Sequence, residues 1–198
     1  DSASLLRDVP GISLYGAGGV SSLPSIHGLA DDRLRIKVDG MDLLSACPNH
    51  MNPALSYLDP SQVGALKVYA GIAPVSVGGD SIGGSIIAET AEPVFAAPGQ
   101  GSLSKGELGA FYRGNGDARG GNVAYTGAVA QSGNYVAGGD FKTSTFTGRP
   151  GHALSRDEVG STAYETRNHT LGVAFRGGNH LIEAKLGYQD LPYQLWPN

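Results

Sequence analysis

Three residues in the first half of the sequence have side chains suited to binding a metal ion. Cys47 and Met51 form a Cys-x-x-x-Met pattern, and His50 stands directly before the methionine. Thiolate and thioether sulfurs are soft ligands, which together favour Cu(I) over hard cations such as Ca²⁺ or Mg²⁺. Pro48 and Pro53 make an irregular loop the expected conformation, because proline interrupts a helix. The pattern predicts a copper-binding loop with Cys47, Met51 and His50 as candidate ligands.

A structural role for the two sulfur-containing residues competes with this interpretation. A single cysteine is most often a small buried hydrophobe, and a methionine often fills a gap in a core; Met41, which follows the Asp39-Gly40 turn, is expected to pack in that way. The chain has one Cys and two Met, and one of each falls in the segment 47–51. Residues 45–58 include no Asp, Glu, Lys or Arg. Both observations favour a soft metal.

Catalysis finds no support in the sequence. The glycine-rich stretch 78–84 lacks the Gly-Lys-Ser/Thr order of a P-loop and the glycine spacing of a dinucleotide-binding fold, so a tight turn is expected there. No serine stands in a strand-elbow motif, and no carboxylates are paired at telling positions. The protein is therefore not expected to be an enzyme, and no organic cofactor is expected.

Composition narrows the class of fold. The chain of 198 residues has 31 glycines and 11 prolines, which disfavours a helical bundle. The mean hydropathy of −0.12 is too low for a helical membrane protein. The net charge is −4 and Lys and Arg form no cluster, so a nucleic-acid partner is not expected.

The second half alternates between apolar and polar residues with a period of two, which indicates β-strands. In each predicted strand the large apolar residues share one face. The five predicted strands cover residues 105–113, 122–131, 135–146, 169–176 and 180–189.

Two folds fit these strands, a soluble β-sandwich and a transmembrane β-barrel. Longer connections (114–120 and 147–162) are expected to alternate with shorter ones (132–134 and 177–179), as in a barrel with one end in the periplasm. Five strands do not close a barrel, because about eight is the usual lower limit. The barrel interpretation therefore implies that this chain is a fragment of a larger protein.

The first half predicts a small domain that mixes helix and strand. A short helix end is expected at residues 4–9 and a strand at 33–39, closed by the Asp39-Gly40 turn. Asp59 is the expected N-cap of a helix that begins at Pro60. Further strands are expected at 65–69 and 86–90, and a connector at 95–101.

Four segments of this half resemble, in the same order, motifs in the plug of TonB-dependent outer-membrane receptors. They are Leu5-Leu-Arg-Asp-Val-Pro-Gly11, Ser25-Ile-His-Gly-Leu29, Ile36-Lys-Val-Asp-Gly40 and Ile82-Gly-Gly-Ser-Ile86. The resemblance implies an α+β plug domain at residues 1–97, followed at 98–198 by the first five antiparallel strands of a 22-stranded transmembrane β-barrel. It also implies two partners, outer-membrane lipid and a TonB-type energy-coupling protein in the periplasm, whose binding box is not recognised in this chain.

Three further segments, 46–53, 55–64 and 74–84, resemble the copper receptors of that family. This implies a protein of the bacterial outer membrane that binds and imports copper ions. A His-x-Met pair from the barrel would supply the remaining ligands, and it is expected beyond Asn198. The alternatives are a receptor for a siderophore or another organic metal chelate, with Cys47 and Met51 packed in the plug, and a soluble β-rich binding module.

Overall fold

The computed structural model describes residues 1–16, 19–45, 47, 49–78, 81–149 and 159–194. It divides into two compact units, of which the first comprises Asp1–Ala91 with Val159–Ala163 and the second begins at Glu92. The predicted end of the plug at residue 97 stays a prediction. Residues 79–80 of the glycine-rich stretch and residues 150–158 of the third predicted connection lie outside the described residues.

The described residues of the first unit form one antiparallel strand pair and one four-stranded mixed sheet. The pair joins β1 to β2, and the larger sheet has the order β4-β3-β6-β5, in which β3 and β6 run parallel. All three strands predicted in this half are confirmed. The strands are β1 (Ile12–Gly16), β2 (Ser22–Ile26), β3 (Leu34–Val38), β4 (Met41–Asp42), β5 (Val63–Ala70) and β6 (Gly84–Thr90).

The helical segments described in this unit are short 3₁₀ turns. Asp59 caps one of them as predicted, because its carboxylate accepts a hydrogen bond from the Ser61 amide at 2.7 Å. Such brief segments are typical of 3₁₀ geometry. Among the described residues, no helix has the length and apolar character needed to cross a membrane. The turns are Ser2–Leu6, where a helix end was predicted, Asp31–Arg33, Ala54–Tyr57, Pro60–Gln62 and Val75–Val77.

The core of the first unit lies against β3 and β6. Strand β6 is buried from Gly84 to Ala88 because it occupies the centre of the sheet. At Gly84, where φ is +118°, an added Cβ would lie 2.2 Å from the Tyr69 carbonyl oxygen, so only glycine permits this close pairing. The buried cluster consists of Ala3, Leu6, Ile26, Leu34, Val38, Leu55, Leu58, Ile86 and Ala88.

The second unit is built on one antiparallel sheet with the order β11-β10-β9-β8-β7. Each strand therefore pairs with its neighbours in sequence, and the five strands predicted from the alternation are confirmed. The strands are longer than predicted, because residues expected in the connections are also paired. The strands are β7 (Ser102–Arg113), β8 (Ala118–Val129), β9 (Tyr135–Gly148), β10 (Tyr164–Gly177) and β11 (His180–Gln194).

Strand register places the large apolar side chains on one face of this sheet. Leu108 is directly opposite Val123, Tyr125 is opposite Phe141, and Phe141 is opposite Leu171. Residues directly opposite one another project to the same side. These side chains are exposed within the described structure; Leu108, for instance, is 85% exposed. The other face carries small and polar residues, including the buried Ala124, Ser144 and Asn168.

The predicted alternation of connection lengths is wrong for the first two connections. Residues 114–117 join β7 to β8, and residues 130–134 join β8 to β9. The glycines after residue 117 had suggested a longer loop, but Gly120 lies inside β8. An added Cβ there would lie 2.2 Å from the Phe146 ring and 2.8 Å from the Phe111 ring, so this glycine makes room for an aromatic pair. The connection 149–163 is by far the longest of the four.

Candidate metal centre

The predicted copper-binding residues lie in the loop between β4 and the 3₁₀ turn Ala54–Tyr57, which we call the 43–53 loop. On one side of the loop, β4 pairs with β3 through Val38 and Met41. On the other side, Leu55 is fully buried in the core. Both ends of the loop are therefore fixed to the same sheet and core.

Cys47 and His50 are brought together by a tight turn. The His50 amide donates a hydrogen bond to the Cys47 carbonyl oxygen at 2.9 Å. His50 adopts a left-handed conformation with φ of +50°, which is uncommon for residues other than glycine. Cys47 is a half-buried free cysteine. The turn thus begins at Cys47 and ends at His50, directly before Met51.

Two serine hydroxyls hold this segment in place. Ser45 Oγ lies 3.0 Å from the carbonyl oxygens of both Cys47 and Asn52. A hydroxyl has one proton, so it donates to one of these oxygens at a time. Ser21 Oγ, from the residue before β2, donates to the Met51 carbonyl oxygen at 2.8 Å. The backbone of Cys47 and Met51 is therefore fixed by hydrogen bonds rather than by burial of their side chains.

The side chains of the loop differ in their exposure. His50 is 19% exposed, with Nε2 lying 3.7 Å from the Asp32 carboxylate, too far for a hydrogen bond. Met51 is 36% exposed. The side-chain oxygen of Asn52 is buried and has no hydrogen-bond partner among the described residues. The loop thus offers two sulfurs, an imidazole and a buried acceptor within six residues of sequence, 47–52.

These groups do not complete a metal site by themselves. Within the ranges that the structure describes, no three His, Cys, Asp or Glu side chains are grouped as metal ligands would be. Cys47, His50 and Met51 share one loop, as the spacing predicted, and their ligation of copper stays a prediction. Met41 is 59% exposed on the edge strand β4, so the expectation that it packs in the core is wrong.

Sequence reasoning missed the two serines that hold the loop, Ser21 and Ser45, and the Asp32 carboxylate that lies near His50. Ser45 carried a usable signal, because a serine side chain often hydrogen-bonds to the backbone of a residue close to it in sequence, here Cys47. Ser21 and Asp32 carried none, since they lie in distant segments that only the fold brings to the loop.

An ion pair borders the same region of the first unit. Arg35 of β3 binds the Asp42 carboxylate of β4 through two contacts, of 2.8 Å and 2.9 Å. This hydrogen bond lowers the pKa of Asp42 below its ordinary value. The pair lines a cavity of about 290 Å³ that also includes Asp32, Leu44 and Ser81. The Asp32 carboxylate therefore lies between this cavity and His50.

A small mixed-sheet domain, followed by antiparallel strands with an exposed apolar face, has the organisation predicted for a receptor plug and its first barrel strands. Residues 1–85 match the family model of the TonB-dependent Receptor Plug Domain. No curated protein matches the chain in sequence. Residues 1–85 of this chain are therefore a TonB-dependent receptor plug domain, which indicates a protein of the bacterial outer membrane and contradicts the interpretation as a soluble β-rich module.

Solved structures of such proteins share the fold across nearly the whole chain. The copper transporter OprC aligns over 96% of this chain with a TM-score of 0.79 and 22% identity. The FrpB iron transporter of Neisseria meningitidis aligns over 96% with a TM-score of 0.68 and 20% identity. The ferric enterobactin receptor of Pseudomonas aeruginosa aligns over 96% with a TM-score of 0.64 and 14% identity. The chain spans 28%, 28% and 30% of those proteins, respectively.

Proposed function

We propose that the receptor to which this chain belongs imports copper ions and captures them at the 43–53 loop. Cys47 and Met51 supply two soft sulfur ligands, and His50 is the third candidate. The observation that carries the proposal is the closed turn from Cys47 to His50, tied to Asn52 through Ser45. A preformed loop of this kind presents both sulfur-bearing residues without first having to order the backbone.

The likeness to other receptors supports copper over an organic chelate only in part. The structure named a copper transporter has a higher TM-score than the ferric enterobactin receptor, 0.79 against 0.64. The chemistry of the loop adds to this, because sulfur ligands select Cu(I). A siderophore needs a roomy pocket with aromatic or basic groups, and residues 45–58 offer only Tyr57 and His50 of those types.

Two further elements of the proposal lie outside this chain. We expect a His-x-Met pair from barrel residues after Asn198 to complete the copper site. We also expect a TonB-type protein in the periplasm to supply the energy that rearranges the plug once the ion is bound. Cys47 binds as the thiolate, so copper affinity falls as pH is lowered.

The test is Cu(I) affinity of the full-length receptor, measured by competition with a chromogenic Cu(I) chelator. Cys47→Ser and Met51→Leu should each lower the affinity at least about 100-fold, because even residues that only support a ligand typically contribute 10- to 100-fold. Met41→Leu is the matched control, since Met41 is the second methionine of the chain and lies outside the 43–53 loop. It should change the affinity less than about twofold on the same scale.

Unchanged Cu(I) affinity in Cys47→Ser would refute the site. A receptor for a ferric chelate would give a different pattern: tight binding of ferric enterobactin or a related chelate, no tight binding of copper, and no effect of Cys47→Ser on either. Copper content measured on the purified wild-type receptor provides the independent check.

A further inference from the structure

A second polar site lies in the five-stranded sheet, at the end of β7, β8 and β9 that is opposite the 130–134 connection. It is an open cavity of about 430 Å³ with two guanidinium groups in its lining. We call it the arginine cavity. Its lining consists of Tyr112, Asp117, Arg119, Thr147, Gly148 and Arg149.

The arginine cavity lies on the apolar face of the sheet. Tyr112 is directly opposite Arg119, and Arg119 is opposite Thr147. Tyr112 is four residues from Leu108 along β7, so the two project to the same side. The cavity therefore continues the row of exposed apolar side chains toward the end of the sheet. Arg149 follows directly after β9, where its backbone amide donates to the Gly116 carbonyl oxygen at 2.7 Å.

The end of the sheet that carries the cavity is the one that faces outside the cell. It bears the connections 114–117 and 149–163, of which the second is by far the longest of the four, whereas the opposite end bears 130–134 and 178–179. In outer-membrane barrels, longer connections lie outside the cell and shorter turns lie in the periplasm. Tyr112 fits this placement, because aromatic residues form girdles at the membrane interface. The cavity is therefore at the level of the outer-leaflet headgroups.

The charge of the cavity is positive and only partly balanced. Asp117 accepts a hydrogen bond from Tyr112 Oη at 2.9 Å and lies 3.8 Å from the Arg149 guanidinium. This ion pair is largely exposed to solvent and therefore weak. Arg119 has no carboxylate partner in the part of the chain that the structure describes. One carboxylate thus faces two guanidinium groups.

We propose that the arginine cavity binds a phosphate group of an outer-leaflet lipid, with the acyl chains of that lipid on the adjoining apolar face. Guanidinium groups bind phosphate oxygens through paired hydrogen bonds, and basic pockets beside apolar transmembrane surfaces bind anionic headgroups. The placement favours a lipid as the source of the phosphate. On the same face of β8, exposed apolar side chains begin at Val123, four residues from Arg119, and a free phosphate would not need them. The inference is independent of the cargo that the receptor carries.

The test measures binding of lipid A, bisphosphorylated and dephosphorylated, to the full-length receptor in detergent micelles. The wild type should bind the bisphosphorylated form at least about tenfold more tightly, a difference of about 1.4 kcal/mol. The double variant Arg119→Gln/Arg149→Gln should reduce that preference to less than about twofold. Arg113→Gln is the matched control, because Arg113 is the neighbour of Tyr112 but lies on the opposite face, over the Phe111 ring at 5.2 Å. It should keep the preference.

A second double variant shows whether any loss in the Gln double variant comes from misfolding. Arg119→Lys/Arg149→Lys keeps both charges and loses the paired geometry, so its preference should lie between those of the wild type and the Gln variant. Equal binding of the two lipid forms by the wild type would overturn the proposal, as would an equal loss in Arg113→Gln. Inorganic phosphate that displaces the lipid at a similar concentration would overturn the lipid source and indicate a site for free phosphate.

Discussion

The two units of this chain place the same types of side chain in opposite ways. In the first unit, Leu6, Leu55 and Ile86 are almost completely buried. In the sheet of the second unit, Leu108 and Leu186 are 85% and 70% exposed. The opposite face of that sheet carries the buried Ala124 and Ala174 instead.

This difference shows that the two units are built for different solvents. A water-exposed sheet with a continuous apolar face would be an aggregation surface. In a bilayer the same face is matched to the hydrocarbon, and the strands satisfy their own backbone hydrogen bonds. The plug buries its large apolar side chains, as a protein in water does, and the sheet exposes them on one face, as a protein in lipid does.

The largest expected effect tests the buried core of the first unit. Leu55→Ala should lower the free energy of opening of the β3–β6 sheet by about 2–5 kcal/mol, because it leaves a cavity in a packed core. Leu186→Ala, the matched substitution on the exposed face, should leave those amides unchanged. Hydrogen exchange of the β3 and β6 amides in the full-length receptor measures both. Equal effects would mean that the two leucines have the same environment.

The next effect tests the exposed apolar face of the sheet in the second unit. Val123 and Asn122 are neighbours in β8 with side chains on opposite faces. Val123→Lys should lower the free energy of unfolding of the receptor in bilayers by about 2–4 kcal/mol, since it places a charge against the hydrocarbon. Asn122→Lys should have a clearly smaller effect in the same denaturant titration. The comparison fails if Asn122→Lys is the more harmful of the two.

A smaller effect concerns how the plug holds an exposed loop without burying it. Ser45→Ala removes the hydroxyl that joins Cys47 to Asn52 and leaves both sulfurs in place. We expect Cu(I) affinity of the full-length receptor to fall about fivefold, since one hydrogen bond contributes about 1 kcal/mol. Ser4→Ala, which removes an exposed hydroxyl bonded to the Asp1 carbonyl oxygen, is the control. A loss of less than twofold in Ser45→Ala would show that the loop closes without this contact.

The smallest effect is a dependence on pH in the plug. The pKa of Asp42 is lowered by its hydrogen bond with Arg35. The stabilisation is therefore fully present above the ordinary pKa of the carboxyl group, and it is lost as pH falls through the lowered value. Protection of the β3–β4 amides from exchange, corrected for the effect of pH on intrinsic exchange rates, should fall at acidic pH in the wild type. Asp42→Asn should remove that dependence, and a wild type that shows none would contradict the prediction.

The elements that sequence reasoning predicted are those with a local cause. Alternation fixed the faces of β7 to β11, and Asp59 before Pro60 signalled a capped turn. Gly120 misled because glycine is typical of turns, whereas here it makes room for two aromatic rings contributed by neighbouring strands. Such a reason is visible only once the strands are in register.

The candidate site shows the same limit. Cys47, His50 and Met51 were identified from their types and spacing, because soft ligands are rare in this chain. The hydrogen bond from Ser21 and the approach of Asp32 to His50 were not predictable, because both residues lie in segments before β3 that only the fold brings to the loop. The His-x-Met pair remains a prediction about residues beyond Asn198.

The parallel pairing of β3 with β6 has a consequence for the order in which the receptor matures. The 43–53 loop lies between these strands in the chain, so Cys47 is exported before Ile86 and Ala88 arrive to complete the core beneath it. Until then the thiol belongs to an unfolded segment in an oxidising compartment, where it is open to disulfide formation with other newly exported chains. Biogenesis is thus the stage at which this cysteine is most vulnerable to oxidation.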